Sequence, residues 1–315
     1  MKVKRLQNRI AENRFSLPTT AVIALLVWIS AGLISQDLWL QFGLMAIATY
    51  FMVELNNRNV LMRTYSRMVS CSFLVLNLTC LDLFTASAAT GTVQLCFVLH
   101  LIFLFQSYQD KQSMGSVFFA FAMLGIASLF FIQALFLVPL TWFLMMTRIM
   151  SMTWRGFFAS IMGLIAPYWF VTGLLVYQGK AEMLLSHIQG ITAFQEPSLA
   201  NMPPATLLAG LIFIVLMGII GGIHFLRNSY LDKIRTRMVY EALIILFVCL
   251  VIFVVLQPQH AAMLAPLLIT VVSPLIAHYI TFTKTFITNV SFILILLVTG
   301  LLVITNLWLP LQTFL

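Results

Sequence analysis

Along the chain, apolar residues fall in continuous runs of roughly 17 to 25, separated by short polar breaks. A helix rises about 1.5 Å per residue, so such a run covers about 30 Å of hydrocarbon while bonding its own backbone. Ten-residue blocks of alternating polar and apolar positions, the pattern of an outer-membrane barrel, are absent. The pattern predicts an all-α, polytopic transmembrane helical bundle of eleven spanning helices. They fall at about 17–35, 39–54, 68–87, 93–107, 114–131, 134–148, 156–177, 205–225, 239–257, 263–281 and 287–307. Residues 1–16 form a basic segment ahead of this single transmembrane domain, 17–315. The 35-residue stretch 113–147 carries no charge and is too long for one crossing, so it reads either as a pair split near Gln133 or as one tilted helix.

Charge decides between those two. Lys and Arg collect in cytoplasmic loops, and splitting the stretch puts 16 of the 17 basic residues on one side, leaving Lys180 on the other. A single span would scatter them. The split gives a cytoplasmic N-terminus and a periplasmic C-terminus. The formal charge of +8 then divides into +11 inside, from 16 bases against five acids, and −3 in the membrane and outside, from Lys180 against four acids. The basic balance thus follows from topology and from attraction to anionic lipid, and nucleic acid is not an expected partner.

Composition agrees: 62% of residues are apolar, 8% are charged and the mean hydropathy is +1.04, far from a soluble domain. The polar start lacks the layout of a secretory signal, so the whole chain is expected to be mature. Cys71, Cys80, Cys96 and Cys249 all lie in apolar runs without Cys-x-x-Cys spacing, which argues for core packing over disulfides, and no metal site is expected. The longest outer loop, 178–204, carries Met183, Leu184, Leu185, Ile188, Ile191 and Phe194 at near-helical spacing and predicts a periplasmic interfacial helix.

Ionisable groups inside a bilayer are costly and so mark candidate sites. Asp82 and His100 each lie nine residues from a turn expected near Gly91, which would set them at similar depth, as a pocket or as a polar pair fixing two helices. Asp37, Glu182, His187, Glu196 and His260 sit in or beside outer loops, where a carboxylate or imidazole can act as general base or can simply be solvated. Arg58, Arg63 and Arg67, in the polar loop 54–67, suit either a phosphate headgroup or anchoring at the cytoplasmic interface. Gly218 and Gly222 form a G-x-x-x-G pair for close helix approach, while Pro167, Pro266 and Pro274 mark kinks or a cavity between the seventh and tenth helices. There is no P-loop, dinucleotide fingerprint, H-E-x-x-H or G-x-S-x-G, and no cofactor is expected.

The segment 119–177 contains Gly-Ile-Ala-Ser-Leu-Phe at 125–130, a Pro-containing helix, a basic turn with Trp154, and a Gly-x-x-x-Pro-Tyr helix at 163–168. It resembles an uncharacterised family of Gram-negative bacterial multi-pass inner-membrane proteins, and the resemblance covers the first half better than the second. The succession of short helices also resembles the membrane part of GT-C glycosyltransferases. That resemblance implies a polyprenyl-linked glycan as substrate, handled at the periplasmic face, and an acidic catalytic residue in the first outer loop. Here that loop is only about 35–38, so Asp37 is the one residue to which the role carries over. The expectations are a GT-C-like enzyme with Asp37, Asp82 or His100 as catalytic candidates and Arg58, Arg63, Arg67, Glu182, His187 or His260 as binding candidates. The alternatives are a non-catalytic integral subunit of a membrane complex and, third, a transporter. Expected partners are membrane lipid, a polyprenyl-linked glycan and other membrane proteins.

Overall fold

The computed structural model describes residues 5–192, 194 and 202–312, with side chains to Trp308. Among these, every regular element is helical. A short helix, α1 (Leu6–Glu12), turns by 96° into α2 (Ser16–Ser30). Next come α3 (Trp39–Asn59), α4 (Met68–Leu78), α5 (Leu81–Ala86), α6 (Ala88–Gln106) and α7 (Met114–Phe130). A 3-10 segment, Ile132–Phe136, runs into α8 (Leu137–Thr147), followed by α9 (Trp154–Tyr177) and α10 (Ala181–Gln189). The chain closes with α11 (Ala205–Asn228), α12 (Ile234–Leu256), α13 (Ala261–Phe282) and α14 (Phe286–Gln312).

Among the described residues each apolar run is helical, and six helices are long and apolar enough to cross a membrane: α6, α9, α11, α12, α13 and α14. The α1–α2 pair makes a seventh if it is one bent span. The uncharged 113–147 stretch is a pair: Phe131 is extended, at φ −143° and ψ 91°, and ends α7 two residues before Gln133. Further upstream the expected 68–87 helix is broken at Thr79 and Cys80 into α4 and α5. The turn that follows is at Ser87, not Gly91; Ser87 is extended and its Oγ accepts the Ala89 N–H at 3.1 Å, which caps α6.

The bundle is arranged around α13. Residues 264–278 are all buried, which is the signature of a helix enclosed on every side. Around it stand α4, α6, α11 and α12, with α1 across its end. Polar side chains reach in to its backbone: Gln94 donates to the Pro266 carbonyl at 3.2 Å and the Tyr240 hydroxyl to the Pro274 carbonyl at 3.3 Å. At the C-terminus of α13, Gln7 donates to the Ile280 carbonyl at 2.6 Å and Asn8 to the Thr283 carbonyl at 3.0 Å. The basic N-terminal segment therefore caps carbonyls that a helix end leaves without partners.

Pro167 and the prolines of α13 do not frame a cavity. Helix α9 lies at the periphery, packed on α7, with Gly163 against the Phe118 carbonyl and Gly125 against the Leu164 carbonyl. The Ser128 and Tyr168 hydroxyls meet at 2.8 Å across the same contact. The Gly218/Gly222 pair is half used. Gly218 makes room for the Phe247 ring of α12, but α13 is seated on Gly221, where a Cβ would lie 2.6 Å from the Leu275 carbonyl oxygen. At Gly222 a Cβ would meet only Ile244, at 3.9 Å. Gly221→Ala is accordingly expected to destabilise the protein by about 1–3 kcal/mol, as overpacking does, whereas Gly222→Ala stays within about 0.5 kcal/mol of wild type. Thermal unfolding of the two variants in detergent checks the contrast.

Candidate functional site

Two features at the ends and flank of the bundle carry the chemistry. The first is a cleft of about 600 Å³ between α2 and α14, floored by α4 and α13. Its walls are apolar, with Ile23 and Val27 on α2 facing Leu296, Gly300 and Ile304 on α14. Ile23, Leu296 and Ile304 are exposed, so the cleft opens sideways, toward the surface that hydrocarbon covers. On α2 the lining runs from Ser16 to Val27 and on α14 from Phe292 to Leu307, lengths of about 16 and 22 Å. One end is polar: Asn13, Ser16, Thr19 and Thr20 sit there, and the exposed Arg9 and Arg14 are chain neighbours of the lining residues Ile10 and Asn13.

The second feature lies at the same end of the bundle, where α1, the α3–α4 loop and the α11–α12 loop meet. We call it the basic end, after Arg58, Arg63, Arg67, Arg148, Arg227 and Arg235. Val60 ends α3 in a left-handed conformation, at φ 48°, and turns the chain into the loop that carries Arg63. Thr236 of α12 donates to the Val60 carbonyl at 3.3 Å and Arg235 to the Asn59 amide oxygen at 3.2 Å, which fastens the two loops together. Asp232 stands just before α12 and does not cap it: the cap residue is Lys233, which makes no side-chain cap bond. The fully buried Asp232 carboxylate instead lies 2.9 Å from the Arg63 Nε and 3.2 Å from the His278 Nε2. The Arg63 guanidinium also lies over the Phe282 ring, 4.2 Å from its centre. On its other side, the His278 Nδ1 is 3.3 Å from the Nδ1 of His224 on α11. Phe225, Tyr240 and Phe282 pack around the His278 ring at 4.6 to 5.3 Å.

Most residues singled out from the sequence are elsewhere and are not brought together. His100 is wholly buried, with Nδ1 2.8 Å from the Ala120 carbonyl and Nε2 3.4 Å from the Thr141 hydroxyl, between the Phe97 and Phe121 rings. A carbonyl only accepts, so Nδ1 holds the hydrogen, and the imidazole ties α6 to α7 as a packing group. It does not pair with Asp82. With the turn at Ser87, Asp82 and His100 lie five and thirteen residues from it, about 8 and 20 Å along the helices, so the equal-depth expectation fails. The Asp82 carboxylate is half-buried without a polar partner among the described residues. Asp37 is exposed in the tight turn between α2 and α3, at φ 51°.

The loop arginines are largely occupied. Arg58 pairs with Glu54 one turn earlier, Arg67 donates to Tyr65 and Asn57, and Arg63 holds Asp232. Of these, only Arg63 belongs to the buried cluster. His187, on the amphipathic α10, donates from Nε2 to the Ser128 carbonyl at 2.9 Å and so fastens α10 across the end of α7, while Glu182 on the same helix is exposed. His260 sits against Phe131, with ring centres 5.6 Å apart. Glu196 lies outside the described residues.

Asp232, His224 and His278 were not singled out by sequence reasoning. Asp232 read as one more loop acid, and the two histidines lie near the ends of apolar helices that are 54 residues apart in the chain. The signal that was available is that each histidine stands within a turn or so of the basic end of a predicted span, where two such helices side by side would bring imidazoles to one level. Arg63→Ala is expected to cost about 3 kcal/mol, because it strands a buried carboxylate, whereas Arg58→Ala, which breaks an exposed one-turn pair, costs under about 0.5 kcal/mol. The unfolding midpoints of the two variants measure the difference. No family model, curated protein or solved structure matches this chain.

Proposed function

We propose that this is a bacterial inner-membrane protein that takes the tail of a phosphate-bearing long-chain lipid into the α2–α14 cleft and handles that lipid at the basic end. The observation that carries the reading is the cleft: a lateral opening, apolar walls for the length of an acyl or isoprenoid tail, and one polar mouth, with the exposed Arg9 and Arg14 next in the chain to its lining residues Ile10 and Asn13. Its volume lies within the range of ligand pockets. Guanidinium groups at the mouth suit a phosphate headgroup by charge and by paired hydrogen bonds. A polyprenyl-linked glycan fits this chemistry, and so does a glycerophospholipid.

In this reading the chain crosses the membrane eleven times, with the basic end in the cytoplasm and the C-terminus outside, as the distribution of Lys and Arg favours. The headgroup then lies at the cytoplasmic face, opposite the face that the glycosyltransferase resemblance implies. Asp37, Asp82 and His100 do not line the cleft, so no transfer step is assigned to them. A second reading, an integral subunit of a larger complex, is favoured by α9, which packs mainly on α7 and presents Trp154, Phe158, Trp169 and Phe170 outward.

Extraction and mass spectrometry of protein purified in mild detergent is expected to return one long-chain phosphate-bearing lipid per chain, its mass telling polyprenyl phosphate from phospholipid. A Cβ at Gly300 would meet nothing within 4 Å, so Gly300→Trp can fill the cleft, and it is expected to reduce the retained lipid several-fold. Equal retention by the variant, or a stoichiometric protein with no lipid, overturns the proposal. For topology, alkaline phosphatase fused after Gly179 is expected to be active and a fusion after Arg67 inactive; the reverse would place the basic end outside.

A further inference from the structure

In the Asp232, His278 and His224 series one imidazole nitrogen is left uncommitted, and the hydrogen-bond directions show which. The Asp232 carboxylate, ion-paired with Arg63 at 2.9 Å, can only accept. His278 Nε2, 3.2 Å away, must therefore carry the hydrogen. A neutral His278 then offers a bare lone pair at Nδ1. His224 Nδ1, 3.3 Å from it, must be the donor. That leaves Nε2 of His224 as a lone pair, on a ring that is half-buried where His278 is fully buried, with no hydrogen-bond partner for it among the described residues. The arrangement is a carboxylate, an imidazole and a second imidazole in series, with the last one at the open edge.

We propose that Asp232, His278 and His224 form a proton-binding relay, with His224 Nε2 as the atom that takes the proton. The balance is simple: one proton from water adds to Nε2, the ring becomes an imidazolium, and its Nδ1–H stays donated to His278. The added charge is held against the Asp232 carboxylate through the intervening ring. The Nδ1–H shared between the rings can lie on either one: with Nε2 of His224 protonated, it stays on His224 or passes to the His278 Nδ1, and the 3.3 Å bond is kept in both cases.

The charged and titratable groups around the site are Asp232 and Arg63 from the two loops, His278 and Tyr279 from α13, Tyr240 from α12, and Arg227 on α11 itself. From α14 the Ser291 hydroxyl bonds to Tyr279 at 2.6 Å. Two arginines thus oppose a single carboxylate, so an anionic group arriving beside Arg227 would favour a loaded site. Loading does not depend on the lipid cleft, which none of these residues lines.

The tautomers are directly measurable. Protein labelled with nitrogen-15 histidine in nanodiscs, with His224 and His278 assigned by His224→Gln and His278→Gln, gives a side-chain nitrogen correlation spectrum. At about pH 8, above the ordinary histidine range, His278 is expected as the Nε2–H tautomer and His224 as the Nδ1–H tautomer. On acidification the His224 Nε2 resonance is expected to move from the unprotonated to the protonated region. Asp232→Asn is expected to abolish the single tautomer at His278; should that variant fail to fold, the wild-type spectrum decides alone. A His224 that already carries its hydrogen on Nε2 at about pH 8, or an Nε2 resonance that does not move on acidification, overturns the proposal.

Discussion

A helix enclosed by protein inside a membrane cannot pass its polar obligations to water, and α13 is such a helix. Two prolines lie inside it, its last carbonyls have no intrahelical partner, and donors reach its backbone from other elements. They come from every direction: Gln94 on α6, Tyr240 on α12, and Gln7 and Asn8 on α1. The same demand explains why Gly221 matters, since α11 can approach the α13 backbone only where it has no side chain. Surrounding helices are shaped to α13, and the two polar features of the molecule lie at its margins.

The helices were legible in the sequence because length and hydropathy are local properties, and each apolar run reports its own. Splitting the uncharged stretch was legible too, from charges outside it. Depth and facing were not. Placing Asp82 beside His100 required the turn to fall at Gly91, but Ser87, an extended residue whose side chain caps α6, set it four residues earlier. The relay was harder still, because it joins a loop acid, a loop arginine and two helix-end histidines that no spacing rule connects. Hydropathy profiles discount residues of that kind at the ends of spans, which is where the chemistry gathered.

The residues that carried the family resemblance turn out to be those that join α7 to α9. Gly125 and Ser128 from the first motif meet Leu164, Pro167 and Tyr168 from the second, and Gly163 closes on Phe118. Small residues let the two backbones touch, and paired hydroxyls hold the register, as in other membrane helix contacts. The motifs therefore describe a joint in the scaffold, distant from both the cleft and the basic-end cluster.

The cleft lies between the first long helix of the chain and the last. Helix α2 is made some 270 residues ahead of its opposite wall, α14, so the seam between them forms after the α4 floor is in place. In the lipid-binding reading proposed above, a seam assembled in that order closes around hydrocarbon that already occupies it.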